Sequence, residues 1–490
     1  MSKRVIGVLV SCCALIACEV AETDARPARL PKTELTPDAL ATAWSKAVLF
    51  ASGTRLRARL YELGDGVQYF LGFEDELLGA TCSFERAEDG EMRCMPNGGG
   101  TFRSEPLVQY ADANCSDPVL AAWRGSGAQC LSSTLSITVA EWASCGSKTV
   151  RAYRVVQGTP PRPIYARSPD GCVQQPQPDC LFQLEHIEPS RFVRGEARSE
   201  RADSELAVDW VDYADGASAV LGMRDTTRDL RCGSIDGLRD RCVPDEADVY
   251  ATSYFADEGC ATPAVVTSCA DGGTGIALIP GSCRNAPKLF ELGPPASGPG
   301  YFVENEGTCE MVPTTNLGVY ELSAAFHPSA LPLLRRAQAG SGRLRIDYYY
   351  GASGRPLSYD RSQRGIYDAV LGTSCEIRSF ADGTFRCVPS DAQAHWSDGP
   401  YLDAGCTDAV VAVHRGGDEC DVPASAVRLV ELSVGTVAVR SLGSRVTPAP
   451  AEVFDLRDGA CEPIARSDSS VDYYRLGAPL DLAEATFHVD

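Results

Sequence analysis

Three aspartates recur at one position of a repeated block. Tyr110-Ala-Asp112-Ala-Asn-Cys115, Phe255-Ala-Asp257-Glu-Gly-Cys260 and Tyr401-Leu-Asp403-Ala-Gly-Cys406 all read aromatic-x-Asp-x-x-Cys. A carboxylate at a strand end could line a shared face and take Ca²⁺ or sugar hydroxyls. The same residue also makes an Asx turn, its side chain accepting backbone N–H groups a few residues on. The turn is the expected role. A second acidic run, Asp209-x-x-Asp212-x-x-Asp215-Gly216, places carboxylates every third residue. It misses the every-second spacing of an EF-hand loop. Calcium is the one cofactor these acids would suit, and no metal site is assigned.

Nothing in the sequence arranges a nucleophile with a base. There is no GxSxG elbow, HExxH pair, Walker loop or Gly-rich dinucleotide loop. The five histidines, His186, His327, His395, His414 and His488, form no HxH or HxxxH pair and read as structural or surface residues. CxxC is absent, which argues against zinc ribbons and thioredoxin-type chemistry. The 66 acidic residues offer many carboxylate pairs for glycoside hydrolysis, but no pair is marked out. No catalytic residue is assigned, and the enzyme question leans to no.

The elements that carry these residues repeat three times. Cys82 to Cys94 with Met95-Pro96, Cys232 to Cys242 with Val243-Pro244, and Cys375 to Cys387 with Val388-Pro389 are copies of one block. Each encloses an Asp-Gly pair: Asp89-Gly90, Asp236-Gly237 and Asp382-Gly383. Asp-Gly supplies the positive φ of a tight hairpin turn, so each block reads as a hairpin that its cysteines could staple. In the first and third copies a two-residue turn leaves the cysteines out of register, so a longer loop or other partners stay open. The aromatic-x-Asp block follows, and then a third one around Cys172, Cys309 and Cys461. Three blocks in one order make a long repeat, at intervals of roughly 145 residues.

The N-terminus is different. Lys3 and Arg4 precede an apolar run from Val5 to Ala14, too short for a permanent membrane span and suited to a signal peptide. Leu15-Ile16-Ala17-Cys18 resembles the lipobox of bacterial lipoproteins. The resemblance implies that the peptide 1–17 is removed and that Cys18 carries lipid, anchoring the chain to the membrane. An ordinary secretory signal is the alternative. Glu19 is not the Asp that retains lipoproteins at the inner membrane of enteric bacteria, so the outer membrane is expected. Residues 18–36 read as a flexible tether. Thr36-Pro37-Asp38 then reads as a helix start, with Leu40, Trp44 and Val48 on one stripe of a short helix over 37–50.

The chain has 490 residues, 44% of them hydrophobic, with a net charge of −21. It can bury a core, and so negative a chain is a poor general binder of nucleic acid. Its 21 cysteines indicate an oxidising compartment. Cys12 and Cys13 leave with the signal and Cys18 takes lipid. The other eighteen are disulfide candidates: Cys82, Cys94, Cys115, Cys130, Cys145, Cys172 and Cys180; Cys232, Cys242, Cys260, Cys269, Cys283 and Cys309; Cys375, Cys387, Cys406, Cys420 and Cys461. They divide unevenly over the copies. One bridge between the first and last copies, such as Cys180–Cys461, would balance them and close the chain on itself.

The expected fold is all-β, with three long disulfide-bearing repeats at 51–193, 194–331 and 332–490. Two architectures suit it: a six-bladed β-propeller, two blades per copy, which is the favoured one, or three tandem β domains. The Pro/Gly-rich stretches at 158–163, 293–300 and 446–450 fall at one place in each copy and read as equivalent loops. Arginines near the copy junctions (Arg191, Arg194, Arg198, Arg201; Arg335, Arg336, Arg343, Arg345) read as solvated charge, with anion patches as the alternative.

Lipobox, Cys-x₁₁-Cys hairpin with Asp-Gly, Cys-Val/Met-Pro, and aromatic-x-Asp-x-x-Cys together resemble uncharacterised Cys-rich repeat lipoproteins of myxobacterial type, over residues 55–490. The resemblance implies location and repeat type and no activity. The expected function is a non-enzymatic surface or periplasmic lipoprotein whose β scaffold binds a glycan or an envelope protein. The alternative is an extracellular hydrolase of polysaccharide or peptide that uses carboxylates.

Overall fold

The computed structural model describes residues 49–490 apart from internal stretches, the longest being 98–108, 123–135, 268–274, 280–286, 360–364, 415–425 and 465–470. The signal, Cys18, the tether, Trp44 and most of the expected helix lie outside the described residues. The end of that helix is corrected: Phe50–Ala51 is a short strand, Phe50 lying opposite Ala219. Among the described residues no helix is long and apolar enough to cross a membrane. Strands make up the fold, with two single-turn 3₁₀ segments at Pro189–Arg191 and Pro328–Ala330.

Each copy opens with a meander of short strands. In the first copy these are Leu56–Glu62, Gln68–Asp75, Ala80–Arg86 and Met92–Pro96. Their counterparts begin at Leu206 in the second copy and Leu344 in the third. Alternation of apolar and polar residues selects one inward face. Leu56, Ala58 and Leu60 are buried, as are Leu206 and Val208, and Leu344 and Ile346. All belong to one core drawn from the three copies, which also holds the cysteines of the three hairpins.

The copies exchange strands. Gly195–Arg201 corresponds to Glu484–Val489 at the end of the third copy, so the first copy runs past the expected boundary at 193/194, and this strand pairs with Leu206–Tyr213 of the second. Arg335–Ala339 likewise ends the second copy, past the expected boundary at 331/332, and pairs with Leu344–Tyr350 of the third. Glu484–Val489 returns to Leu56–Glu62 of the first. Just ahead of each return strand, the chain also accepts a bond from its own hairpin. Cys94 N–H donates to Val193 O (3.0 Å), Cys242 to Pro332 O (3.0 Å) and Cys387 to Ala483 O (2.9 Å). The pairings therefore run once round all three copies and close.

Between hairpin and return strand each copy carries an outer module with its own small core. The first is a seven-stranded sheet packed around Val119, Ile164 and Leu181. In the second, Val265 and Ala277 are buried, and in the third Val410, Val453, Val471 and Tyr473. The all-β, disulfide-bearing repeat is what the structure contains, and a propeller is not confirmed. Six propeller blades would be six separate radial sheets. Here the central strands share one core, and each central sheet is completed by a strand from its neighbour. Strand exchange likewise separates this fold from tandem domains, each closed on itself.

Candidate functional site

Asp112, Asp257 and Asp403 form three equivalent turns. The Asp112 carboxylate accepts N–H bonds from Asn114 (2.8 Å), Ser116 (3.1 Å) and Asp117 (2.6 Å). Asp257 accepts from Gly259 (2.9 Å), Ala261 (3.3 Å) and Thr262 (2.5 Å). Asp403 accepts from Gly405 (2.9 Å), Thr407 (3.1 Å) and Asp408 (2.5 Å). All three carboxyls are held below the usual range. At Asp112, desolvation opposes this and the loop donors outweigh it. At Asp257 the leading cause is the Thr262 side chain, and at Asp403 the Asp408 N–H. The turns drive Cys115, Cys260 and Cys406 into left-handed backbone, with φ of 51°, 50° and 51°. Each carboxylate is thus spent on a loop that aims a cysteine.

Those cysteines meet the third block: Cys115–Cys172, Cys260–Cys309 and Cys406–Cys461, with Cα separations of 5.9, 5.8 and 5.7 Å. Cys82–Cys94, Cys232–Cys242 and Cys375–Cys387 staple the hairpins. Register explains how. Cys82 lies opposite Pro96 and Cys94 opposite Phe84, so the cysteines are diagonal neighbours on one face. The proposed Cys180–Cys461 bridge is overturned, because Cys461 is bonded to Cys406 within its own copy. Closure between first and last copies is made by backbone pairing instead. Cys130, Cys145, Cys269, Cys283, Cys420 and the side chain of Cys180 lie outside the described residues. The six disulfides among the described residues point to an oxidising, extracytoplasmic environment.

The run Asp209, Asp212, Asp215 does not converge. Asp209 pairs with Arg224 and Arg231, and Asp212 with Arg198. Asp215 accepts the N–H groups of Arg55 (3.0 Å) and Leu56 (2.7 Å). Among the described residues no group of three or more His, Cys, Asp or Glu side chains is placed to hold a metal. His186 pairs with Glu88, His488 with Glu62 (3.1 Å), and His327 caps the turn at Ser329. The side chains of His395 and His414 lie outside the described residues. Several junction arginines are held within the fold: Arg194 on Glu91, Arg336 on Asp347 and Arg343 on Asp368.

A threefold feature escaped the sequence reading. Asp75, Asp225 and Asp368 end equivalent strands, with side chains at most 1% exposed. Each accepts N–H bonds from the next turn and a guanidinium: Arg55 (2.6 Å), Arg228 (2.7 Å) and Arg343 (3.0 Å). The same guanidinium donates to a backbone carbonyl ahead of the return strand, that of Arg191, Ala330 or Asp481. Hydrogen bonds and a paired charge satisfy a carboxylate that burial alone would disfavour. Arg55 and Arg343 directly precede their first strands. The second copy has Glu205 there and supplies Arg228 from the turn instead. This shift of position hides the pattern in the sequence.

A ligand-sized cleft lies at the seam between the first and second copies. Its volume is about 390 Å³, and it is floored by Phe70, Phe73 and Tyr213 and walled by half-buried Tyr69 and Phe84. Its rings form a chain: Phe70–Phe73 at 5.1 Å, Phe73–Tyr213 at 5.4 Å and Phe84–Tyr213 at 6.0 Å. Two matching β-bulges shape it. Gly72 faces Arg59 while Phe70 faces Leu60, leaving Leu71 unpaired. Gly222 faces Asp209 while Val220 faces Trp210, leaving Leu221 unpaired. Both leucines line the cleft. Bulges re-aim side chains in this way, and Gly72 at φ 127° occupies backbone that an L side chain resists. Ser83 and Asn97 also line it, Ser83 Oγ donating to Asn97 Oδ1 at 2.6 Å. Among the described lining residues none is acidic.

The profile of a family of unknown function, DUF7481, matches residues 45–209 and 333–489. No curated protein and no solved structure matches the chain.

Proposed function

Because the chain belongs to the DUF7481 family of unknown function, we propose a role from its own geometry: a bacterial envelope lipoprotein, lipid-anchored at Cys18, whose stapled β scaffold binds a glycan without turning it over. The observation that carries this reading is the aromatic cleft. Sugar rings present C–H faces that stack on aromatic side chains, and the half-buried Tyr69 and Phe84 offer such surfaces around one concavity. Ser83 and Asn97 add a hydroxyl and an amide for sugar hydroxyls. A hydrolase acting here would need two carboxyl groups flanking the bond to be cut, and the described lining residues supply none. The lipobox resemblance, the disulfides and the oxidising compartment they point to all accord with an envelope address.

The test is calorimetric titration of the soluble form, with residues 1–18 replaced by an ordinary cleavable secretory signal, against a panel of neutral and acidic bacterial polysaccharides. One glycan is expected to bind, and Tyr69→Ala or Phe84→Ala to weaken it about tenfold, equivalent to about 1.4 kcal/mol. Absence of binding across the panel, or variants that bind like the parent, would discard the cleft as a glycan site. Fractionation of cells tests the anchor: replacing residues 1–18 by an ordinary cleavable secretory signal is expected to release the chain from the membrane pellet. Continued sedimentation would reject lipid anchoring.

A further inference from the structure

The outer face of the sheet that joins the first two copies carries a second concavity, a groove of about 460 Å³. Register sets its walls. Arg201 lies opposite Ala207, Ala207 opposite Arg224, and Arg224 opposite Arg231. Directly opposed residues project to the same side of a sheet. Three arginines therefore stand in one row across four strands, which span about 14 Å at the usual strand spacing. In the next row Asp209 lies between Ser199 and Gly222. Ala207 and Gly222 keep the floor low. The other copies have Arg57 and Arg345 where this one has Ala207, so the open floor belongs to the second copy alone.

The three guanidiniums are not equally engaged. Arg224 is saturated: Nε and Nη2 meet Asp209 at 3.0 and 2.9 Å, and Nη1 meets the carbonyl of Asp229 at 2.8 Å. Arg231 reaches Asp209 through Nε alone, at 3.3 Å. Its two terminal nitrogens have no partner among the described residues. The Arg201 side chain has no ion pair or hydrogen bond among them either. Asp209 is nearly fully buried and already neutralised by Arg224. Over Ala207 two guanidinium forks keep unused donors, beside the exposed Asp229 carboxylate, which Arg224 Nη1 pairs at 3.1 Å.

We propose that this groove binds an oxyanion, a carboxylate or sulfate group borne on an acidic polysaccharide, held between Arg201 and Arg231. The planar guanidinium fork matches such groups with two parallel N–H bonds, which an ammonium cannot do. The chain as a whole is acidic, at −21. Screening confines charge effects to about 8 Å at physiological ionic strength, so the local arginines decide binding once the ligand is seated. The site is separate from the aromatic cleft and does not rest on it.

The experiment is titration of the same soluble form, with residues 1–18 replaced by a cleavable secretory signal, at about 50 mM NaCl with three probes: an oligogalacturonate, a sulfated dextran oligomer and a neutral dextran oligomer. At least one acidic probe is expected to bind, with affinity falling as NaCl is raised, and the neutral one not to bind. The galacturonate and sulfate arms separate carboxylate from sulfate. Arg201→Ala with Arg231→Ala is expected to weaken the acidic probe about tenfold or more, and Tyr69→Ala to leave it unchanged. Arg201→Ala alone breaks no contact among the described residues, so it keeps the test should the double variant fold poorly; it is expected to lower affinity several-fold. Failure of both acidic probes to bind, or an unaltered affinity in the arginine variants, overturns the proposal. Loss of acidic binding in Tyr69→Ala with none in the arginine variants would assign it to the cleft instead.

Discussion

Val489 lies directly opposite Arg59 in an antiparallel pair, so the strand that ends the third copy completes the sheet that begins the first. The seam is also packed by rings. Phe487 sits 5.9 Å from Tyr61 and 5.7 Å from Phe385, with the Arg59 guanidinium 5.2 Å from its centroid. Phe487→Ala is therefore expected to cost about 2 kcal/mol, less than a fully buried Phe because the ring is only half-covered. Denaturant unfolding measures it. A loss under about 0.5 kcal/mol would mean that the seam does not hold the three copies together.

Buried and exposed ion pairs should behave differently. Asp75→Ala strands Arg55 and the N–H groups of Leu77 and Leu78, and is expected to cost about 3 kcal/mol. Asp212→Ala removes a pair with Arg198 in which the side chains are 47% and 45% exposed, and is expected to change stability by less than about 1 kcal/mol. Equal effects in the same unfolding assay would refute the structural role of the clamps.

Acid should unfold the protein in a defined direction. At Asp225 burial opposes the charge, but the Thr227 hydroxyl and Arg228 outweigh it and hold the carboxyl low. Asp382, bonded by Thr384, and the three turn aspartates are lowered as well. A carboxyl with a depressed folded pKa contributes stability that is present above its unfolded value, about 3.9, and lost as pH falls through the folded value. Melting temperature is expected to fall steeply from about pH 4 downward. Asp225→Asn should flatten that fall, and a parent-like slope in the variant would remove Asp225 from the account.

Peptide mapping without reduction is expected to recover Cys406 joined to Cys461, and Cys115 to Cys172, each within one copy. A peptide joining Cys180 to Cys461 would contradict the fold. Closing loops of 57 and 55 residues restricts the unfolded chain by about 4 kcal/mol each, against about 3 for the hairpin staples. Reductant should accordingly lower the melting temperature by many degrees.

Local chemistry was readable in the chain. Asp89-Gly90 and Asp382-Gly383 mark hairpin turns because glycine takes the positive φ, 82° and 80°, that the turns need. Asp112, Asp257 and Asp403 mark Asx-type turns because a short carboxylate reaches only donors a few residues on. The recurrence of these blocks with their cysteines was enough for an all-β repeat protein of an oxidising compartment. Such signals lie within a few residues of each other, so spacing alone reports them.

Whatever depends on distant segments waited for the tertiary structure. Backbone N–H and C=O groups are the same at every residue, so nothing in Glu484–Val489 names Leu56–Glu62 as its partner. The Asp225 clamp draws its arginine from a different position than the clamps of Asp75 and Asp368, since only the spatial arrival of a guanidinium matters. The aromatic cleft needs two bulges on two copies to face each other. The arginine row exists only because register brings Arg201, Arg224 and Arg231 abreast. Sequence determined the pieces and their turns, and the packing of three copies around one core decided which pieces meet.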